Sequence, residues 1–236
     1  MEHINQVKGI AELRKEEEAI PRKKVSAAVI RRLPRYHRYL GELLREGKGR
    51  INSTELSAMM GLTASQIRQD LNCFGGFGQQ GYGYHVSYLY HKIGELLGVN
   101  ENYRIVFVGL GHLGHSLATS ALLERRGIRK MAAFETNPAL IGTTVADLPV
   151  LAVDELESYC LENKVDIAVL AVPRESAHRL AERLAAAGVK GIWNYSDTEL
   201  DLHIPGMVIE NMHLSDSLLS LCYRLRSAAM SPSRHH

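Results

Sequence analysis

The chain of 236 residues has only three cysteines, Cys73, Cys160 and Cys222. Their odd number and wide spacing argue against a disulfide frame or a zinc site and for free thiols in a reducing cytoplasm. No apolar run approaches the ~18 residues that a membrane span needs, and the N-terminus lacks a signal-peptide pattern. A cytoplasmic protein with no membrane partner is therefore expected. Metal-ligand clusters are also scarce. His112 and His115 are spaced i,i+3, but beside a glycine turn they read as polar surface, so no metal is expected. His235 and His236 fit a tag remnant and carry no weight. With 45% hydrophobic and 23% charged residues, the composition is that of an ordinary globular protein long enough for two modest cores.

The net charge is only +2, but it is unevenly spread. Residues 22–98 carry 12 Lys+Arg against 5 Asp+Glu, whereas residues 99–236 carry 13 against 16. The positive charge sits where a polyanion could bind. Residues 1–20, with the run Lys15 to Glu18, read as an N-terminal arm. Pro21 opens the first domain, assigned to 21–98. An apolar stripe of Val29, Leu33, Tyr36, Leu40 and Leu43 predicts a helix over 25–46, with Pro34 either kinking it or marking a start. Asn52 and Glu55 form a capping pair for a second helix, which Gly61 stops. Thr63 and Gln66 form a second capping box for a helix over 64–74. Two short helices with this tight turn make a helix-turn-helix. Ser65, Gln66, Arg68, Gln69 and Asn72 give the second helix the polar groups that base edges and phosphates require. The glycine-dense, aromatic stretch 75–84 reads as a hairpin wing bearing Gln79 and Gln80. A helix over 86–97 and a linker over 98–102 follow.

The run Arg104 to Gly114 reads as a dinucleotide-binding turn. Ile105 to Val108 form a strand, Gly109, Gly111 and Gly114 have G-x-G-x-x-G spacing, and a helix is expected through Leu122. Gly109 serves the tight turn, Gly111 lets the backbone approach a pyrophosphate, and Gly114 permits close helix packing. The next strand, 131–134, ends at Glu135. That carboxylate is placed to accept from ribose hydroxyls and to repel a 2′-phosphate, which favours NAD(H) over NADP(H). Further helices over 154–163 and 175–187 alternate with strands over 166–172, 191–194 and 207–209. The expected fold class is α/β: a winged helix-turn-helix domain followed by a Rossmann-type doubly wound parallel sheet over 99–211. A C-terminal helix and tail, 212–236, has Leu214, Leu218, Leu221, Cys222 and Leu225 on one stripe. It could pack on its own domain or on a second subunit. Tyr195, His178 and Asp197 could serve acid–base chemistry. However, only about thirty residues follow the nucleotide fold, too few for a substrate domain. No catalytic residue is therefore assigned, and a sensor is favoured over an enzyme.

Taken in order, several motifs resemble the Rex family of bacterial redox-sensing repressors over nearly the whole chain. They are RLPRY from Arg32, IRQDL from Ile67, FGGFG from Phe74 and GYGY from Gly81, then GLGHLG from Gly109, AVP from Ala171 and AGVKGIWNY from Ala187. The resemblance implies a homodimer with a C-terminal helix swapped between subunits. It also implies a palindromic double-stranded operator, released by NADH and bound with NAD⁺. It adds His112, Leu113, Val172, Pro173 and Tyr195 to the cofactor residues. The chain departs from the family's pattern at informative places. Gln79 and Gln80 replace a basic pair in the wing. Ser120 replaces a tyrosine near the nicotinamide. Tyr195 replaces a phenylalanine and Ser196-Asp197 an Ala-Pro. His213 replaces the aspartate thought to exchange with the arginine matching Arg32. Asp216, three residues on, is a compensating candidate on the same helical face. Two alternatives stay open: a paralogue with an altered NADH response or another adenine-nucleotide ligand, and a small NAD-dependent oxidoreductase.

Overall fold

A computed structural model describes residues 25–74, 78–79, 83–121, 123 and 127–230. The expected arm over 1–20, the wing residue Gln80 and the tail 231–236 lie outside the described residues, as does the side chain of Gln79. The chain divides into two compact units, one up to Gly98 and one from Val99.

The first unit begins with α1 (Ala27–Arg45), capped by Ser26 and burying Val29, Leu33, Tyr36, Leu40 and Leu43. Pro34 neither starts nor ends this helix but lies inside it. Its missing N–H costs one helical bond, and the buried stripe on both sides outweighs that loss. A short strand that the sequence did not suggest, β1 (Arg50–Ile51), precedes α2 (Ser53–Met60). The Asn52–Glu55 capping box forms in full, and Gly61 ends the helix at φ 63. The second capping box is only half made. Thr63 accepts from the Gln66 N–H at the start of α3 (Ala64–Asn72), but the Gln66 side chain turns to Asp70 instead. The wing strands β2 (Gly78–Gln79) and β3 (Gly83–His85) pair antiparallel, and β1 joins them in the order β1-β3-β2. Gly83 is required here: its φ is 69°, and a Cβ would stand 2.7 Å from the Ile51 carbonyl oxygen. The helix α4 (Val86–Leu96) packs along α1. Together these elements bury Tyr36, Leu40, Leu56, Ile67, Leu71 and Leu89 in one core.

The second unit is a seven-stranded sheet in the order β10-β9-β8-β4-β5-β7-β6. Its strands are β4 (Tyr103–Val108), β5 (Ile128–Glu135), β6 (Thr144–Val145), β7 (Leu148–Ala152), β8 (Ile167–Leu170), β9 (Gly191–Asn194) and β10 (Val208–Asn211). Every pairing is parallel except β6 with β7. The six parallel strands have the doubly wound order of a dinucleotide-binding fold. β4 is buried on both faces, as its unbroken apolar run implies. Val106 and Val108 join one core with α6 (Leu156–Asn163) and α7 (Arg174–Ala186). Ile105 and Phe107 join a second core with Ala118 of α5 (His112–Thr119).

Three sequence expectations need correction in this unit. α5 stops at Thr119 rather than running through Leu122, and Ser120 is extended. The Thr119 hydroxyl donates to the His115 and Ser116 carbonyls at 2.9 and 3.2 Å, competing with continuation of the helix. The β6–β7 hairpin was not expected. Its two turn residues, Ala146 and Asp147, both have positive φ without glycine or asparagine to signal it. The segment expected to be helical over 154–163 opens as a 3₁₀ turn, Val153–Glu155, before α6. The last helix, α8 (Leu214–Met230), packs on neither core. Its side chains are exposed through Ser227, with Leu214, Leu218 and Leu225 each about 60% exposed.

Candidate functional site

In the second unit the sheet order reverses beside β4, because β5 lies on one side and β8 on the other. Such a switch point opens a crevice at the carboxyl ends of the strands. A cleft of about 460 Å³ lies there, lined by Gly109, Gly111, Glu135, Val172 and Pro173 among others. The three glycines of the turn have separate duties. Gly109 has φ 90°, and a Cβ on it would strike the Ala171 carbonyl at the end of β8. A Cβ on Gly114 would strike the Gly109 carbonyl, so α5 can leave the turn this tightly only without a side chain there. A Cβ on Gly111 would meet nothing within 4 Å. Gly111 is therefore not needed for packing. It leaves open backbone at the N-terminus of α5, where unpaired N–H groups and the helix dipole favour phosphate. These residues fit a dinucleotide pyrophosphate, which Gly111 and the first turn of α5 would hold.

Glu135 ends β5 and is wrapped by donors. Its Oε2 accepts from the Leu110 N–H at 2.8 Å. Its Oε1 accepts from the N–H groups of Thr136 and Asn137 and from the Thr136 hydroxyl. Burial works to raise this carboxyl, but the three backbone N–H groups outweigh it and hold it below the usual carboxylate range. Oε1 is filled, while Oε2 has a single donor and room for a ribose hydroxyl. The charge that would oppose a 2′-phosphate is thus fixed in place.

Not every sequence-predicted residue reaches the cleft. His112 and His115 are exposed on α5, Leu113 is half-buried and Gly114 is enclosed in the turn. Tyr195 packs edge-on against Trp193, with ring centroids 4.9 Å apart, and its phenol is raised by burial. The cleft's other walls were missed: Thr136, Asn137 and Leu140 after β5, and Ser176, Arg179 and Arg183 along α7. Residues 176, 179, 180 and 183 share one helical face, a spacing visible in the sequence but carrying no signal of a ligand. Among the described residues, no group of three His, Cys, Asp or Glu side chains is placed to hold a metal.

In the first unit, Ser65, Arg68, Gln69 and Asn72 are exposed along α3, and Arg68 donates to the Ser53 hydroxyl at 3.1 Å. Gln66 is half-buried and bonded to Asp70. Arg32 forms a two-point pair with the buried Asp70, Nε to Oδ2 at 2.6 Å and Nη2 to Oδ1 at 2.8 Å. The sequence reading assigned Arg32 to a switch and overlooked Asp70, because a lone acid inside an apolar pattern gives no sign of its partner. His213 is exposed and stands just before α8, so it does not share a helical face with Asp216. Instead its carbonyl accepts the Asp216 N–H at 3.2 Å.

Residues 24–72 match the family model described as "Putative DNA-binding protein N-terminus", and residues 100–198 match the CoA binding domain. A redox-sensing transcriptional repressor Rex of Clostridium botulinum is 50% identical over 201 residues, covering 85% of this chain and 95% of that protein. The chain belongs to the Rex family. The Rex repressor of Thermoanaerobacter pseudethanolicus is 49% identical over 203 residues, covering 86% of this chain and 90% of its own. Among solved structures, RSP, a Rex-family repressor, in complex with β-NAD⁺ and operator DNA superposes with a TM-score of 0.83 at 47% identity. That match covers 88% of this chain and 95% of the other. The β-NADH complex of RSP gives a TM-score of 0.81 at 44% identity, covering 88% and 97%. The family members are transcriptional repressors rather than enzymes. No described helix is long and apolar enough to cross a membrane.

Proposed function

We propose that this chain is a redox-sensing transcriptional repressor that binds a double-stranded operator through its first unit and NAD(H) through its second. The observation that carries this reading is the switch-point cleft. Open backbone at Gly111 and a fixed carboxylate at Glu135 suit an adenine dinucleotide without a 2′-phosphate. The RSP complexes with β-NAD⁺ and operator DNA and with β-NADH support the pairing of these two ligands. The exposed groups of α3 supply base contacts in the major groove, with α2 behind it and the β2–β3 wing beside it. The protein works in the cytoplasm, where its operator lies. The proposed domains are 21–98 and 99–211, with 212–236 as the C-terminal helix and tail, and the division of the chain at Gly98 supports the boundary between the first two.

A homodimer is part of the proposal. α8 exposes Leu218, Leu219 and Leu225, a loss of apolar burial that an isolated chain has no reason to bear. A groove of about 430 Å³ lined by Tyr103, Ile167, Trp193 and Val208 lies over β4, β8, β9 and β10. Val208 is 71% exposed there. A second copy's α8 fits this groove and completes the helical layer of a doubly wound sheet. Calorimetric titration with NADH, NAD⁺ and NADPH, with and without an operator duplex, tests the reading. NADH and NAD⁺ should bind, NADPH should bind more weakly, and operator should alter the NADH affinity. Equal binding of NADPH and NADH would contradict the role of Glu135.

A further inference from the structure

Gln66 stands in the first turn of α3, the helix proposed above to read DNA, yet its amide turns inward. Its Nε2 donates to Asp70 Oδ1 at 2.8 Å. Asp70 is 1% exposed and receives three more bonds. Arg32 donates from Nη2 to Oδ1 and from Nε to Oδ2, and the Tyr36 hydroxyl donates to Oδ2 at 2.9 Å. An ionised carboxylate offers about four acceptor positions. Here all four are filled, two by the Arg32 fork, one by Tyr36 and one by Gln66. Three of the donor bonds come from α1, and the fourth comes from the half-buried Gln66 of α3 itself.

The remaining polar residues of α3 sort themselves by spacing. Ser65, Arg68, Gln69 and Asn72 are exposed and fall at i, i+3, i+4 and i+7, which is one stripe of a helix. Gln66 lies about 100° round from Ser65 and is half-buried. Swinging its amide out to a base would strip a buried carboxylate of an acceptor bond, and such vacancies are costly. α3 buries Ile67 and Leu71 in the core it shares with α1, an apolar contact that does not by itself set the pitch of a nine-residue helix. Its hydrogen-bonded tie to α1 runs through Asp70.

We propose that Gln66 is a positioning residue, acting through Asp70 to fix the pitch of α3 against α1, and that bases are read by the stripe Ser65, Arg68, Gln69 and Asn72. The proposal rests on the reading of α3 as the recognition helix.

The test uses the full chain and a duplex selected by this protein from random sequence, together with duplexes changed at each base pair in turn. Polarisation titrations at fixed salt give affinity and a base-preference profile, and thermal unfolding checks that each variant is folded at the assay temperature. Gln66→Met keeps the side-chain volume and removes the donor, and Gln66→Ala removes both. Each should weaken binding about fivefold, the worth of one hydrogen bond, equally on every duplex. Combined with Asp70→Asn, the Gln66 change should cost clearly less than it does alone, because its partner has already changed. Arg68→Ala or Gln69→Ala should instead flatten the preference at particular base pairs. The proposal is overturned if a Gln66 variant flattens the preference at one base pair, or binds as the native chain does. Unchanged binding in both Arg68→Ala and Gln69→Ala would overturn the reading of α3 itself, and this proposal with it.

Discussion

At Gly111 the absence of a side chain serves a ligand, whereas at Gly109 and Gly114 it serves the fold. The open space around Gly111 makes the distinction measurable. Gly111→Val should leave the unfolding midpoint almost unchanged while weakening NADH by at least about tenfold in calorimetry. Gly114→Val should instead fail to fold, because its Cβ would collide with the Gly109 carbonyl. Asp70 provides a second residue-scale test. Burial works to raise its carboxyl, but donors from Arg32, Gln66 and Tyr36 overcome this and hold it below its ordinary value of 3.8. A depressed carboxyl contributes stability that is fully present above the unfolded value and is lost as pH falls through the folded one. Acid titration of stability should therefore show a loss beginning below about pH 4. That loss should be smaller in Asp70→Asn, and equal slopes in the two proteins would remove Asp70 from the account.

At the scale of elements, α3 and α8 are both incomplete within one chain. α3 presents four polar groups to solvent, and Arg68 donates to the Ser53 hydroxyl, a contact that water or phosphate can replace. Arg68→Ala and Gln69→Ala should each weaken operator binding by roughly 1–3 kcal/mol in a polarisation assay. Unchanged affinity with an intact circular dichroism spectrum would exclude α3 as the reader. α8 exposes leucines along its length. Leu218→Glu should convert dimers to monomers in sedimentation experiments and abolish tight binding to a two-fold operator, since half-sites are bound together only by a dimer. A monomeric native protein would defeat this expectation at once.

For the whole molecule the question is coupling. A ligand moves an equilibrium only by its differential affinity for the two states. In this chain Arg32 is engaged by Asp70 within the first unit, and His213 stands just before α8, where the resemblance leads to the expectation of an acid. An imidazole cannot make the two-oxygen charge pair that a carboxylate could make with a guanidinium. Native protein should therefore show a smaller NADH effect on operator affinity than His213→Asp, measured across a range of NADH at fixed salt. Equal release by NADH in both proteins would rule out this position. Asp216→Asn would be the next variant, because Asp216 is the acid in the first turn of α8.

Much of this was already readable in the sequence, wherever the governing interactions are local. The Asn52–Glu55 box, the stop at Gly61, the apolar run of β4 and the glycine spacing each depend on residues a few positions apart, whose backbone requirements are set by their own chemistry. Charge distribution along the chain likewise needs no coordinates. Contacts between distant segments were decided only by the tertiary structure. Arg32 meets Asp70 across 38 positions, and Leu110 meets Glu135 across 25. The cleft wall of Ser176, Arg179 and Arg183 faces the turn at Gly109 only because β8 lies beside β4. Periodicity marked α8 as apolar, but its exposure is a property of the folded chain. The physical reason is the same throughout. Capping, turns and helical stripes are settled within a few residues, whereas a buried carboxylate takes its donors from whichever segment the packing of the core brings to it.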